Sequence, residues 1–353
     1  MSSAQLMMTA LMVPLLATVL IGFCNKKPNL REGVSILASL TLLATILTLL
    51  MSVLDGEQPS IVLLEIAPGL QLKFDLEPLG MLFACVAALL WPINTLYSIG
   101  YMRANKEQHQ TRFYICFAIA LSSTMGIAMA GNLLTLFIFY EILTLSTYPL
   151  VTHKGNEEAR KAGRVYLGIL LGTSIGFFLL AILWTWHLTG TLDFKAGGIL
   201  SGKVAGPELI ILLFLYIYGI GKAALMPIHR WLPAAMVAPT PVSALLHAVA
   251  VVKAGVFTVV KVVVYIFGLD MLKLSAGADW VLWLAGLTIL IASIIALQQD
   301  NLKRRLAYST ISQLSYVILA VFILAPLSTV AAALHIAAHA FGKITLFFAA
   351  GSI

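Results

Sequence analysis

The sequence predicts an all-α polytopic membrane protein, and three observations carry that prediction. Apolar residues make up 60% of the 353-residue chain and charged residues only 10%, where a soluble domain carries about 25%. Those apolar residues gather into runs of about 20, the length that crosses a hydrocarbon core. Basic residues concentrate in every second connection between the runs. The net charge of +7 does not indicate a nucleic-acid partner, because the lysines and arginines form short clusters without an extended, aromatic-interleaved patch. Cys24, Cys85 and Cys116 stand apart, without the spacing of a zinc or iron–sulfur site, so neither a metal nor another cofactor is expected in this chain.

Taken in order, the runs lie near 6–23, 33–54, 78–101, 112–130, 132–151, 164–188, 208–227, 240–268, 279–298, 306–324 and 327–350, about eleven helices. The first lacks a charged leading region and a small-residue cleavage site, so it reads as a retained span. Connections after the odd-numbered runs hold Lys26, Lys27, Arg31; Arg103, Lys106, Arg112; Lys154, Arg160, Lys161, Arg164; Arg230; and Lys303, Arg304, Arg305. Those after the even-numbered runs hold only Lys73, Lys195, Lys203 and Lys273, and the long 55–77 connection is acidic. By the positive-inside rule the amino terminus faces outward and the protein sits as a multi-pass protein in the cell (inner) membrane, with lipid as its surroundings. The chain ends in LFFAAGSI without a polar tail, which reads as the front part of a longer protein.

This assignment leaves Lys222, Lys253, Lys261, Lys343 and the single acid Glu141 inside spans. A charge at the bilayer centre costs about 2.5–3.5 kcal/mol on insertion scales, so each needs a partner, a route to the interface, or a function. Lys261, close to the outer end of its run, is expected to snorkel. Lys222 and Lys253 lie deeper. The 207–237 stretch would measure ~46 Å as one helix, longer than a ~30 Å core, and Pro227 is expected to break it. Broken membrane helices beside ionisable groups mark transport sites; a structural kink is the plainer alternative.

Glu141 shares a helix face with Thr144, Leu145 and Tyr148. As the one acid in a span it invites pairing with a buried lysine. Burial disfavours an ammonium and a nearby carboxylate favours it, and a lysine held between the two can exchange its proton. His335, His339 and Lys343 follow an i, i+4, i+8 spacing, which makes one ionisable row and a candidate proton path. Ser309, Ser312, Gln313 and Tyr316 form a polar stripe on the preceding run that either hydrates this path or holds helix to helix. His247 and Lys253 fall on different ideal faces, so local unwinding is required to bring them together. His229 and Arg230 read as the cytoplasmic rim. GIGKAA lacks the GxxxxGK[ST] pattern of a phosphate loop, and no hydrolytic motif occurs.

Three segments, GIGKAALMPIHRWLPAAMVAPTPVSALLHAVAVVKAGVF, FIFYEILTLSTYPLV and HIAAHAFGKITLFFAAGSI, together resemble the antiporter-like membrane subunits of respiratory complex I, energy-converting hydrogenases and Mrp-type cation/proton antiporters. The D-type component of Mrp antiporters is the group the resemblance favours, followed by an antiporter-like component of complex I. The resemblance implies about fourteen helices in the whole fold, with two inverted five-helix repeats that each contain a discontinuous helix. It divides the chain into N-terminal helices at 1–111, a first repeat at 112–268 and the start of a second, truncated repeat at 269–353. It also implies that Glu141, Lys222, His247, Lys253, His335, His339 and Lys343 carry protons, that other membrane subunits are partners, and that H⁺ is moved, with Na⁺ as the candidate exchanged ion. A redox-driven proton pump is the related alternative, and a purely structural role the alternative of another class. The family's further ionisable residue on the helix after these lies beyond residue 353.

Overall fold

Each predicted apolar run is helical in the computed structural model, which describes residues 2–67, 69–275 and 277–353. The long helices start where the chain offers caps. Ser2 and Gln5 form a capping box ahead of α1 (Ser3–Phe23). Prolines occupy the first turn of α2 (Pro28–Leu54) and α3 (Pro78–Ala104), where the missing N–H costs nothing. α4 spans Gln110–Ala128, and Asn132 caps α5 (Leu133–Val151) by accepting from Thr135 N–H. Asn156 does the same for α6 (Glu157–Thr173), whose first turn adds Glu157 and Glu158 at the positive end of the dipole.

α6 runs through a π turn (Ser174–Phe178) into α7 (Leu179–Thr189). α8 covers Gly206–Gly219 and is followed by a 3₁₀ turn at Gly221–Ala223 and the short α9 (Trp231–Ala234). The eighth predicted run is a chain of α10 (Thr240–Ala244), a π turn (Leu245–Val249), α11 (Val251–Lys261) and a second π turn (Val262–Phe267). A short α12 (Leu269–Leu274) leads to α13 (Asp279–Leu297), α14 (Leu302–Phe322) and α15 (Pro326–Ser352).

Among the described residues, nine helices are long and apolar enough to span a bilayer. The other predicted spans are α14, whose first turn carries Lys303, Arg304 and Arg305, and α8, which at 14 residues is only ~21 Å long. The chain is a multi-pass membrane protein. Leu16, Val19, Leu20 and Phe23 on α1 and Leu287, Leu290, Ile291 and Ile294 on α13 face outward, as lipid-facing side chains do. The 240–267 segment is the most enclosed and packs against α3, α14, α15 and the 3₁₀ turn.

The 55–77 connection holds an antiparallel hairpin of β1 (Ser60–Ala67) and β2 (Leu70–Asp75) with Ser60 opposite Asp75. Its base is sewn to the head of α5. Asp75 N–H donates to Met129 O (2.7 Å), Gly131 N–H to Lys73 O (2.9 Å) and Lys73 N–H to the Thr135 hydroxyl (2.9 Å).

Candidate functional site

The interruption in the seventh span comes before Pro227. Helix α8 ends at Gly219, Lys222 sits in the 3₁₀ turn, and Ala224 takes a left-handed conformation (φ +54°). A proline cannot bond the carbonyl four residues earlier, here Ala223 O, so no helix runs unbroken through Pro227, but the break that holds Lys222 begins further upstream, where α8 ends at Gly219. Exposed backbone groups inside a membrane must be satisfied, and two aromatic side chains do this. Tyr140 OH accepts from Lys222 N–H (3.1 Å), and Trp231 Nε1–H donates to Gly221 O (3.0 Å).

Close packing fixes the broken turn against its neighbours. A β-carbon on Gly255 of α11 would lie 2.3 Å from the carbonyl carbon of Lys222, and one on Gly219 would lie 2.4 Å from Phe178 N in the first π turn. Glycine therefore lets two helices touch the break backbone to backbone.

Lys222 is completely buried. Its ammonium donates to Tyr140 O (2.6 Å) and to the Thr144 hydroxyl (2.7 Å), and lies 3.1 Å from the Tyr140 ring centroid. The expected contact with Glu141 is absent: no carboxylate among the described residues lies within 4 Å of Lys222. Both Glu141 oxygens are shielded from solvent and accept no hydrogen bond. Glu141 and Tyr140 are adjacent on α5, and the ammonium sits where the Tyr140 carbonyl, the Thr144 hydroxyl and the Tyr140 ring converge.

The second cluster forms where 240–267, α14 and α15 meet. Lys253 Nζ contacts His339 Nδ1, so the row on α15 is joined to the eighth span. Between two nitrogen bases such a bond requires one to donate and the other to present its lone pair. His339 Nε2 has no partner, and the His335 ring lies parallel to that of His339 at 6.2 Å. Lys343 Nζ donates to Ser309 Oγ (2.7 Å).

His247 reaches the same cluster through α14. Thr310 donates its hydroxyl hydrogen to Leu306 O (2.8 Å), so the 3.1 Å contact between His247 Nδ1 and Thr310 Oγ1 has Nδ1–H as the donor. Neutral His247 then carries its lone pair on Nε2, which is buried and unpartnered. Leu306 O also accepts from Lys343 Nζ (3.4 Å), so Lys343 and Thr310, the partner of His247, share one carbonyl. The unwinding that His247 required is present as the π turn at 245–249 and the distorted Ala250 (φ −116°, ψ −77°). π turns of this kind recur at functional sites.

The polar stripe on α14 divides in two. Ser309 serves Lys343, whereas Ser312 hydrogen-bonds Ser293 on α13 (3.0 Å) and joins helix to helix. Thr310, fully buried beside Ser309, lies outside the i, i+3, i+4, i+7 pattern and escapes a reading by spacing.

Two expectations about charge are corrected. Lys261 does not snorkel: it is fully buried, pairs with Glu77 Oε1 at 2.8 Å, donates to Ala130 O (2.8 Å) and covers the Phe194 ring at 4.1 Å. Glu141 is not the one acid inside a span, because α2 starts earlier than its apolar run and buries Arg31 and Glu32. Glu32 is bonded by Arg103, while Arg31 turns to Gln110 (2.7 Å) and Thr111 (3.0 Å). Facing charges at 31, 32 and 103 were the available signal. Among the described residues no three His, Cys, Asp or Glu side chains gather in a metal-binding arrangement.

Residues 130–353 match the family described as NADH:quinone oxidoreductase/Mrp antiporter, transmembrane. A probable K⁺/H⁺ antiporter A/B component of Rhizobium meliloti (strain 1021) is 34% identical over 81% of this chain and 28% of its own length. The NAD(P)H-quinone oxidoreductase subunit 5 of the Paulinella chromatophora organellar chromatophore is 31% identical over 97% of this chain and 53% of its own. The chain thus spans about half or less of these relatives. A chain in the membrane-bound sulfane sulfur reductase, an archaeal respiratory membrane complex, superposes with a TM-score of 0.84 at 25% identity, covering 99% of this chain and 71% of that one. One in the Mrp complex of Dietzia sp. DQ12-45-1b gives 0.76 at 26% identity, with 95% and 37% covered.

Proposed function

Because the chain belongs to the NADH:quinone oxidoreductase/Mrp antiporter family of membrane proteins, we propose that it is a proton-translocating, antiporter-like subunit of a multisubunit membrane complex. The observation that carries this reading is the contact of Lys253 with His339. On this reading, the contact joins the proposed first repeat (112–268) to the start of the second (269–353) through two side chains able to carry protons.

In the proposed cycle Glu141 approaches and stabilises protonated Lys222. Separation of the two releases the proton toward His247 and Lys253, and from there to His339, His335 and Lys343. Support for a separated state comes from the contacts of Lys222 with Tyr140 O and Thr144 and from the unpartnered Glu141 carboxylate. His247 offers a lone pair at Nε2, and His339 receives at one ring nitrogen and releases from the other. Energy comes from partner subunits. An Mrp-type complex exchanging H⁺ against Na⁺, in the cell (inner) membrane with the amino terminus outside, is the first reading. A complex I-like redox pump is the second, supported by the likeness to a quinone oxidoreductase component over 97% of the chain.

In proteoliposomes of the assembled complex, Lys222→Met is expected to abolish proton-coupled transport while leaving assembly intact. Wild-type transport by the double variant Glu141→Gln/Lys222→Met would overturn the proposal in favour of a structural pair, since removing both members of such a pair is tolerated.

A further inference from the structure

A cavity of about 800 Å³ opens on the basic face of the bundle. Lys154, Lys161, Arg230, Lys303 and Arg304 line it, and Glu158 is the one acidic side chain among its lining residues. These cations come from the α5–α6 connection, α6, the turn before α9, and the start of α14. None of the five forms an ion pair among the described residues. Charge sorting across a membrane explains why basic residues lie on this face, but it does not require five from four separate elements to converge on one concavity with none of them in a direct ion pair among the described residues.

We propose that this cavity binds a phosphate-bearing anion, the head group of an acidic phospholipid. Lysine and arginine from different directions match the tetrahedral oxygens of a phosphate, and basic pockets between membrane helices take such head groups. The rest of the lining fits a lipid: Ala162, Val165, Val237 and Met236 provide an apolar wall beside the charges. Lys303 also donates to Ala238 O, at the end of the segment that joins the broken seventh span to the eighth. An anion held here therefore tethers α6 and α14 to that segment.

The test is native mass spectrometry of the detergent-purified complex, delipidated and titrated with phosphatidylglycerol, phosphatidylcholine or inorganic phosphate. Lys154→Gln/Lys161→Gln/Arg304→Gln is expected to weaken phosphatidylglycerol retention on the order of 100-fold, from three lost lysine or arginine contacts near the surface. The equally discharged control Lys26→Gln/Arg160→Gln/Arg164→Gln, outside the cavity, retains it. Equal losses in both triple variants, or equal retention of phosphatidylcholine and phosphatidylglycerol by the wild type, would overturn the proposal. Inorganic phosphate that displaces the lipid at millimolar concentration supports the anion site with a soluble occupant; lipid that resists it supports the head group as occupant.

Discussion

Lys222 and Lys261 are both fully buried, yet the fold treats their charges in opposite ways. Lys261 has a carboxylate at 2.8 Å, a carbonyl and an aromatic face, and its partner Glu77 stands at the N-terminal end of α3 beside the hairpin base. Lys222 has a carbonyl, a hydroxyl and a ring, and its nearest candidate counter-ion accepts no bond at all. A directly paired ammonium is held as a charge, because losing the proton would strand the carboxylate. An ammonium on neutral acceptors strands no directly bonded carboxylate when it loses its proton. On the proposed reading, burial alone does not separate a structural lysine from a transporting one; the partner set does.

Breaking each site should expose that difference. Lys222→Met is expected to abolish transport with little change in thermal midpoint. Glu77→Gln should leave Lys261 buried without its counter-charge and cost about 3–5 kcal/mol of stability, read as a lower midpoint of the purified complex with residual transport in the fraction that folds. Transport lost in Glu77→Gln at full stability would erase the contrast. A smaller effect is expected for Gly255→Ala, whose new β-carbon would meet the Lys222 carbonyl carbon at 2.3 Å. Overpacking of this kind costs about 1–3 kcal/mol, and the shifted turn should slow transport several-fold with assembly retained.

Thr144→Val sharpens the comparison at the level of one hydrogen bond. Removing a hydroxyl from a charged donor costs roughly 1.5–3 kcal/mol, here in the protonated state of Lys222. The pH profile of transport should move while the profile of a Thr258→Val control, whose hydroxyl bonds Ala254 O, stays in place.

The smallest effect is expected at His153, beyond the end of α5. Burial, helped by Arg112, pulls its imidazole down to about 4 from the ordinary 6.5, and the Glu107 carboxylate at 3.7 Å is too far to hydrogen-bond it. The folded state thus resists a proton that the unfolded chain accepts, so its stability is full above pH 6.5 and falls as pH drops toward 4. His153→Gln should flatten that part of a midpoint-against-pH curve; an unchanged slope would remove His153 from the acid response.

Much of the site could be read in the chain because i, i+4, i+8 spacing survives in any helix. His335, His339 and Lys343 needed only α15 to be continuous, and it is. A break in this span was visible as proline and excess length, but it falls at 220–224, upstream of the turn that Pro227 itself disturbs. The link from His247 to Lys343 could not be read. It depends on a π turn that changes helical phase and on Thr310, a residue that marks itself only when two helices are set side by side.

The sequence by itself determined the membrane class, the spans and the identity of the ionisable residues kept in them, because hydrophobic length and charge cost are local properties of the chain. The tertiary structure decided which of those residues meet. Lys253 reached His339, Lys261 reached Glu77, and Lys222 turned from Glu141 to Tyr140. Partnership depends on helix rotation and backbone approach at positions such as Gly255, which are set by packing between segments far apart in the chain.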